Sequence, residues 1–311
     1  MNTTTARYLI TIVGPTAIGK TALSIVLAQY FKCDIISADS RQFYREMPIG
    51  TAAPNEQELA AAVHHFVHHK SIHDLYTVGD FEKEALRKLE TLYQDNAFAI
   101  MVGGSGLYVD AVLKGFDVFP EIDPAVRATL KEQYAQSGLQ WLQQELCRLD
   151  PVYFDSVDQN NPQRLMRALE VCIGSGKPYS DFLNVKKHTR NFIPILIGLD
   201  AERPLLYDRI NTRVSAMIAN GLPEEARQLY PYKERNALQT VGYREIFDYL
   251  DGAFTLEHAI AEIKKNTRRF SKRQLTWFKR NGQIRWFDYQ EDPMAIIAHI
   301  QSVTDGKRID G

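Results

Sequence analysis

Short apolar runs alternate with longer amphipathic stretches along this chain, the pattern of a parallel sheet with helical crossovers. Tyr8-Leu9-Ile10-Thr11-Ile12-Val13 reads as a buried strand. Further runs follow at Asp34-Ile35-Ile36-Ser37-Ala38, Phe98-Ala99-Ile100-Met101-Val102, Ile193-Pro194-Ile195-Leu196-Ile197-Gly198-Leu199 and Ile284-Arg285-Trp286-Phe287. Residues 21–31 predict a helix with Leu23, Leu27, Tyr30 and Phe31 on its apolar side. The runs end in polar or glycine-rich chemistry at Gly14–Thr21, Asp39-Ser40, Gly103–Gly106 and Asp200. In an open parallel sheet ligands sit beyond the carboxyl ends of the strands, so these four segments are expected to meet in one crevice.

Residues 120–190 break the alternation. Val126, Leu130 and Tyr134 recur at helical spacing, then Leu139, Leu142 and Leu146. A further helix over 162–173 is stopped by Gly174-Ser175-Gly176-Lys177-Pro178. This reads as a helical subdomain inserted into a core made of residues 1–119 and 191–311. Helices are also expected near 204–220, 223–230, 240–250 and 255–281.

Gly14-Pro15-Thr16-Ala17-Ile18-Gly19-Lys20-Thr21 fits the phosphate-binding pattern G-x-x-x-x-G-K-[ST], with a strand before it and a helix after it. In such a loop the backbone N–H groups curl around phosphate oxygens, the helix N-terminus adds positive potential, Lys20 supplies a point charge and the Thr21 hydroxyl can hold Mg²⁺. The expected class is therefore α/β: a P-loop-type parallel sheet flanked by helices, with an inserted all-helical subdomain and a helical C-terminal region. The expected ligand carries a di- or triphosphate.

Charge narrows the partners only locally. The 37 Lys and Arg nearly balance 38 Asp and Glu, yet residues 264–280 hold Lys264, Lys265, Arg268, Arg269, Lys272, Arg273, Lys279 and Arg280 without one acid. Phe270, Trp277 and Phe278 are interleaved among them. A solvated helix face normally mixes signs, so this stretch favours a polyanion such as nucleic acid. Two further segments combine amide, arginine and aromatic or apolar groups suited to RNA. They are Asn161-Pro162-Gln163-Arg164-Leu165-Met166-Arg167 and Gln239-Thr240-Val241-Gly242-Tyr243-Arg244. Asp39 at a strand tip suits either a Mg²⁺ ligand or a proton acceptor. Ser105, among three glycines, presents a hydroxyl. His64, His65, His68, His69 and His73 crowd together, but no neighbouring cysteine supports a metal site and a structural role is favoured. Three separated cysteines argue against a disulfide scaffold. Residues 1–7 show no signal-peptide pattern, and no apolar run approaches the ~20 residues of a membrane span. A cytoplasmic protein, expected to be a monomer, is the resulting picture.

Taken in order from about Tyr8 to Phe287, these segments resemble the tRNA dimethylallyltransferases (tRNA isopentenyltransferases). The marks are the 14–21 loop, Asp39-Ser40-Arg41-Gln42 with Tyr44, Gly50-Thr51-Ala52-Ala53-Pro54, His64-His65 and Val102-Gly103-Gly104-Ser105-Gly106-Leu107-Tyr108. They continue with Gln163-Arg164-Leu165, Arg167-Ala168-Leu169-Glu170, Gln239-Thr240-Val241-Gly242-Tyr243, Lys272-Arg273-Gln274 and Trp277-Phe278.

The resemblance implies transfer of a dimethylallyl group from dimethylallyl diphosphate to N6 of the adenosine 3′-adjacent to the anticodon in tRNA. Diphosphate is released, with Mg²⁺ as cofactor. It implies that Gly14, Thr16, Ala17, Ile18, Gly19, Lys20 and Thr21 hold the donor, with Thr21 on the metal. Asp39 is then the general base, Ser105 bonds the bridging oxygen in place of the family's usual Thr, and Arg213 clamps the diphosphate, with Arg209 as its competitor. The anticodon stem-loop is expected to meet Asp39, Ser40, Arg41, Gln42, Ser105, Arg127, Gln163, Arg164, Leu165, Met166, Arg167, Gln239, Gly242, Tyr243, Arg244, Lys272 and Arg273. Ile18 departs from the small residue common in the family. The cysteine count leaves no zinc finger of the eukaryotic kind, so the likeness is to the bacterial form. Three other readings stay open on the motifs alone: prenylation of a free adenine nucleotide, a nucleic-acid-dependent ATPase or kinase with Asp39 or Asp200 on Mg²⁺, and a tRNA-binding module without catalysis, for which Asp39 would be dispensable.

Overall fold

A computed structural model describes residues 6–183 and 189–306; residues 1–5 of the N-terminal segment considered above lie outside it. The chain divides into two compact units, Met1–Leu113 with Arg190–Gly311, and Lys114–Thr189.

The first unit is built on a sheet of six parallel strands among the described residues. They are β1 (Tyr8–Val13), β2 (Ile35–Ser37), β3 (His64–His65), β4 (Phe98–Gly103), β5 (Ile193–Asp200) and β6 (Arg285–Asp288), in the order β3-β2-β4-β1-β5-β6. The apolar runs of β1, β4 and β5 are continuous because both faces of these central strands are covered. Along β1 successive side chains point to opposite faces. Ile10 and Ile12 join one core cluster, with Leu27, Ile210 and Ile263. Leu9 and Val13 join the other, with Phe81, Ala85 and Met101. The chain leaves β1 toward one edge and later returns to add β5 on the other side, which opens a crevice at the carboxyl end of β1.

The helices follow the chain as α1 (Lys20–Phe31), α2 (Glu56–Ala61), α3 (Val78–Asp95) and α4 (Gly106–Lys114), then the helical unit. After β5 come α8 (Arg203–Ala219), α9 (Leu222–Leu229), α10 (Tyr243–Leu250), α11 (Leu256–Phe278) and α12 (Pro293–Gly306). No helix among the described residues is long and apolar enough to cross a membrane.

The helical unit holds α5 (Pro124–Leu149), α6 (Pro151–Ser156) and α7 (Pro162–Ser175). Gly138, at φ 71°, interrupts α5 between its two apolar series. Leu130, Leu142, Leu146, Leu165, Met166 and Leu169 form this unit's own core. Gly176, in the left-handed region at φ 70°, ends α7. The buried Asp150 carboxylate caps α6 through Tyr153 N at 2.9 Å. It also accepts from Ser180 N at 2.7 Å and Ser180 Oγ at 2.8 Å.

Candidate active site

At the carboxyl edge of the sheet lies a cavity of about 850 Å³, walled by the loops after β1, β2 and β4, by α8 and by α11. The loop after β1 is pressed against its neighbouring strand. A Cβ at Gly14, whose φ is 146°, would lie 2.6 Å from the Leu199 carbonyl oxygen, so only glycine fits there. Ile18 is buried at 1% exposure and anchors the loop in the core. The position that departs from the resembled family is thus a hydrophobic foot, and it leaves phosphate contact to the backbone. α1 begins at Lys20 with no side-chain cap on its first N–H groups, which favours an anion there.

Three cations surround this loop, and the described structure gives them neutral oxygens as hydrogen-bond acceptors. Lys20 Nζ donates to Pro15 O at 2.7 Å, and Arg209 Nε donates to Ala17 O at 2.8 Å. Arg213 donates to Thr16 Oγ1 and to Ala52 O, each at 3.3 Å. Burial, and then the Arg213 guanidinium, pull the Lys20 ammonium down to about 7; the Asp39 carboxylate works in the opposite direction. Burial likewise lowers Arg213, opposed by Asp39 and Glu58. Arg209 is turned partly outward, its guanidinium 4.9 Å from the centre of the Tyr289 ring. The geometry therefore favours Arg213 over Arg209 as the inner cation.

The polar groups beyond β2 and β4 meet on the same cavity. Ser105 Oγ accepts from Ser40 N at 3.1 Å and donates to Ser40 Oγ at 3.2 Å, which brings Ser105 beside Asp39. Asp39 Oδ1 accepts from Arg41 N at 3.0 Å. Gln42 spends its amide internally, on Ser37 Oγ and on the Ala52 carbonyl. Asp200 does not join them, contrary to expectation. Gly198 is level with Val13, so β5 runs two residues beyond the end of β1, and Asp200 lies beside Asp288 of β6, where it pairs with Lys279 at 2.7 Å and does not line the cavity. The glycines around Ser105 are required by the protein's own packing. At Gly103, Gly104 and Gly106 a Cβ would meet Ala38 O, the Gln274 amide and the Trp277 indole at 2.2–2.4 Å. They admit other parts of the protein, and Ser105 lines the cavity with Val102 and Gly103.

A family description, IPP transferase, matches residues 42–281. The chain belongs to the IPP transferase family. It is 63% identical over 300 residues to the tRNA dimethylallyltransferase of Flavobacterium johnsoniae, covering 94% of this chain and 97% of that one. Its structure is similar to the full-length tRNA isopentenylpyrophosphate transferase of Bacillus halodurans at a TM-score of 0.73. Sequence identity there is 37%, covering 97% of this chain and 98% of that one. A eukaryotic dimethylallyltransferase acting on tRNA matches at a TM-score of 0.76 and 27% identity, covering 92% of this chain and 75% of that one.

In this IPP transferase the residues expected to meet RNA fall into two groups. Gln239, Gly242, Arg244 and Arg273 line the cavity, with Ser40, Arg41 and Gln42. Lys272 and Arg273 are exposed on α11, and the Arg273 guanidinium lies 5.7 Å from the centre of the Phe270 ring. In the helical unit Gln163 and Arg164 are exposed. Arg127 and Arg167 share the Glu170 carboxylate at 2.6 and 3.2 Å, and Arg167 also packs over Phe119. Three side chains are corrected. Leu165 and Met166 are core residues of the helical unit, because their helical phase turns them inward. Tyr243 is fully buried and donates to Glu225 Oε1 at 2.6 Å, so it cannot stack on a base. The histidine-rich segment begins with edge strand β3, His64–His65, with His65 bonded to Asp34 at 2.8 Å, and His68, His69 and His73 follow outside the strand. Among the described residues no group of three or more His, Cys, Asp or Glu is assembled to hold a metal.

Sequence reasoning gave no role to two residues. Buried Glu225 accepts from Ile49 N and Gly50 N, each at 2.9 Å, and thereby fixes the loop that presents Ala52 to Arg213. Buried Gln274 bonds Thr16 N and Gly104 O. The signal for Gln274 was its place in the Lys272-Arg273-Gln274 mark, which named no partner for it.

Proposed function

We propose that the protein transfers a dimethylallyl group from dimethylallyl diphosphate to N6 of the adenosine 3′-adjacent to the anticodon of a tRNA. Family membership and the names of its relatives support this reading. The observation that carries it is the gathering of Lys20, Arg209 and Arg213 around an anion-ready loop, with Ser105 and Asp39 on the facing wall of one cavity. The cavity exceeds what a diphosphate alone needs and leaves room for a prenyl chain and a base.

As the allylic C–O bond breaks, negative charge grows on the leaving diphosphate. The loop N–H groups, Lys20 and Arg213 stabilise it more in the transition state than in the ground state. The Ser105 hydroxyl donates to the bridging oxygen. The N6 lone pair is delocalised into the purine, so the amine needs help as it attacks. Asp39 accepts its proton while the new C–N bond forms. The adenosine reaches this site by leaving the anticodon-loop stack, which costs a few kcal/mol.

The residues fit a Mg²⁺ ion carried in by the diphosphate. Thr21 lines the cavity and offers one hydroxyl, which suits a cation that keeps water and substrate oxygens as its other ligands. Bound there, the ion would neutralise charge on the diphosphate. We read the protein as a cytoplasmic monomer.

The test is incubation with dimethylallyl diphosphate, Mg²⁺ and either unmodified tRNA or AMP, followed by digestion and mass spectrometry of the nucleosides. Mass gain on adenosine from tRNA alone supports the reading. Gain on AMP moves the substrate to a free nucleotide, and gain on neither overturns it.

A further inference from the structure

Gln274 is the one buried residue of α11 whose side chain reaches two functional loops. At 6% exposure both ends of its amide are engaged: Oε1 accepts from Thr16 N at 2.9 Å and Nε2 donates to Gly104 O at 2.9 Å. These partners lie 258 and 170 residues away in sequence. Thr16 belongs to the phosphate-binding loop, and its hydroxyl also accepts from Arg213. Gly104 precedes Ser105, which bonds Ser40 beside Asp39. A single amide therefore spans the gap between the loop expected to hold the donor and the loops expected to carry the chemistry.

The packing around it is built for this contact. A Cβ on Gly104 would sit 2.2 Å from Gln274 Nε2, so glycine is required there by the amide itself. One turn further along α11, Trp277 closes on Gly106 in the same way and donates from Nε1 to Asp110 Oδ2 at 3.0 Å. Ser105 is thus held between two glycines that are each covered by α11. The same helix exposes Arg269, Lys272 and Arg273 to solvent.

We propose that Gln274 is a positioning residue through which α11 holds the phosphate-binding loop and the Ser105 loop in register, so that RNA gripping the basic face of α11 tightens the donor site. The proposal rests on the tRNA prenyl-transfer reading given above. The physical basis is that an engaged, buried amide has little freedom. Replacing it by an apolar group leaves the Thr16 N–H and the Gly104 C=O without their partner. Both loops are then free to drift by the fraction of an ångström that positioning for group transfer does not tolerate. Ordering α11 with RNA restricts Gln274 further, and by linkage the diphosphate must strengthen RNA binding by the same factor.

The test compares the full chain with Gln274→Met, which keeps the volume and removes both hydrogen bonds. Inorganic pyrophosphate with Mg²⁺ is titrated calorimetrically into each protein, alone and saturated with an unmodified anticodon stem-loop RNA. In the wild type, RNA is expected to raise pyrophosphate affinity about fivefold. In Gln274→Met, pyrophosphate affinity without RNA is expected to fall about tenfold and the RNA effect to vanish, with RNA affinity itself unchanged. In turnover, the donor KM rises and kcat falls, and the RNA KM at saturating donor rises by about the fivefold coupling that the variant loses. Unchanged pyrophosphate affinity in the variant, or a wild type in which RNA and pyrophosphate bind independently, overturns the proposal. An equal loss of affinity for both ligands assigns Gln274 a merely structural role and also overturns it. Gly104→Ala approaches the same contact from the other side, by displacing the amide, and must reproduce the pyrophosphate defect if Gln274→Met does not fold. Failure of the wild type to prenylate RNA would count against the function and leave the pyrophosphate titrations readable. A prenylating wild type whose Gln274→Met variant matches it counts against Gln274 alone.

Discussion

Two clusters of cations in this molecule are partnered in opposite ways. In the helical unit Arg127 and Arg167 close on one carboxylate, Glu170, and Arg167 also covers an aromatic ring. Around the phosphate-binding loop, Lys20, Arg209 and Arg213 bond backbone carbonyls and a threonine hydroxyl. Neutral oxygens compensate a buried cation poorly, which is why burial and Arg213 depress Lys20 to about 7. A pair closed on a carboxylate is finished as structure. A cluster held on neutral acceptors keeps its positive charge, which suits the anionic donor proposed above.

The sharpest way to break this contrast is at Asp39, the carboxylate facing the loop cations. Asp39→Asn is expected to lower the single-turnover prenyl-transfer rate by about 10²–10⁴-fold, with pyrophosphate and RNA affinities within twofold of wild type. A rate within tenfold of wild type removes the general-base role. Next, Arg213→Gln should lower kcat/KM for the donor by about 100-fold. Arg167→Gln should leave donor kinetics unchanged and alter the salt dependence of RNA binding little, since its charge is already spent on Glu170. Equal effects of the two on the donor would erase the distinction between the clusters.

Asp150 tests the finished side of the comparison. Asp150→Ala leaves Tyr153 N, Ser180 N and Ser180 Oγ without their acceptor, and should destabilise the helical unit by about 2–3 kcal/mol in urea denaturation. Pyrophosphate binding should be untouched. The smallest expected effect is the pH dependence of Lys20. Its folded value of about 7 lies below the 10.5 of the unfolded chain, so between these values the unfolded state binds more protons. Its contribution to stability therefore rises with pH across that window and is lowest below about 7. Lys20→Met should be more stable than wild type at pH 6, and that margin should shrink toward pH 10. A margin constant with pH would show that burial of the ammonium is not what costs stability.

Much of the architecture was legible because its signals are local. Five strands stood out as apolar runs, since parallel strands covered on both faces need them. Two-residue β3 was too short to register. The 14–21 loop declared itself because glycine, lysine and threonine are each demanded at fixed spacing. Side-chain direction was less accessible. Leu165, Met166 and Tyr243 belong to motifs that look like contact surface, yet helical phase and the Glu225 carboxylate turn them inward. The reach of β5 decided Asp200 in the same way, carrying it past the cavity to Lys279.

From sequence alone came the sheet, the helical insertion and the presence of a phosphate-binding loop, because backbone conformation and hydrophobic period are set by near neighbours. Tertiary structure alone decided which cation stands innermost, what the glycines on either side of Ser105 admit, and that Gln274 on α11 meets Thr16 and Gly104. Those contacts join residues hundreds of positions apart, and a hydrogen bond acts over about 3 Å, so only the folded chain can bring its partners within range.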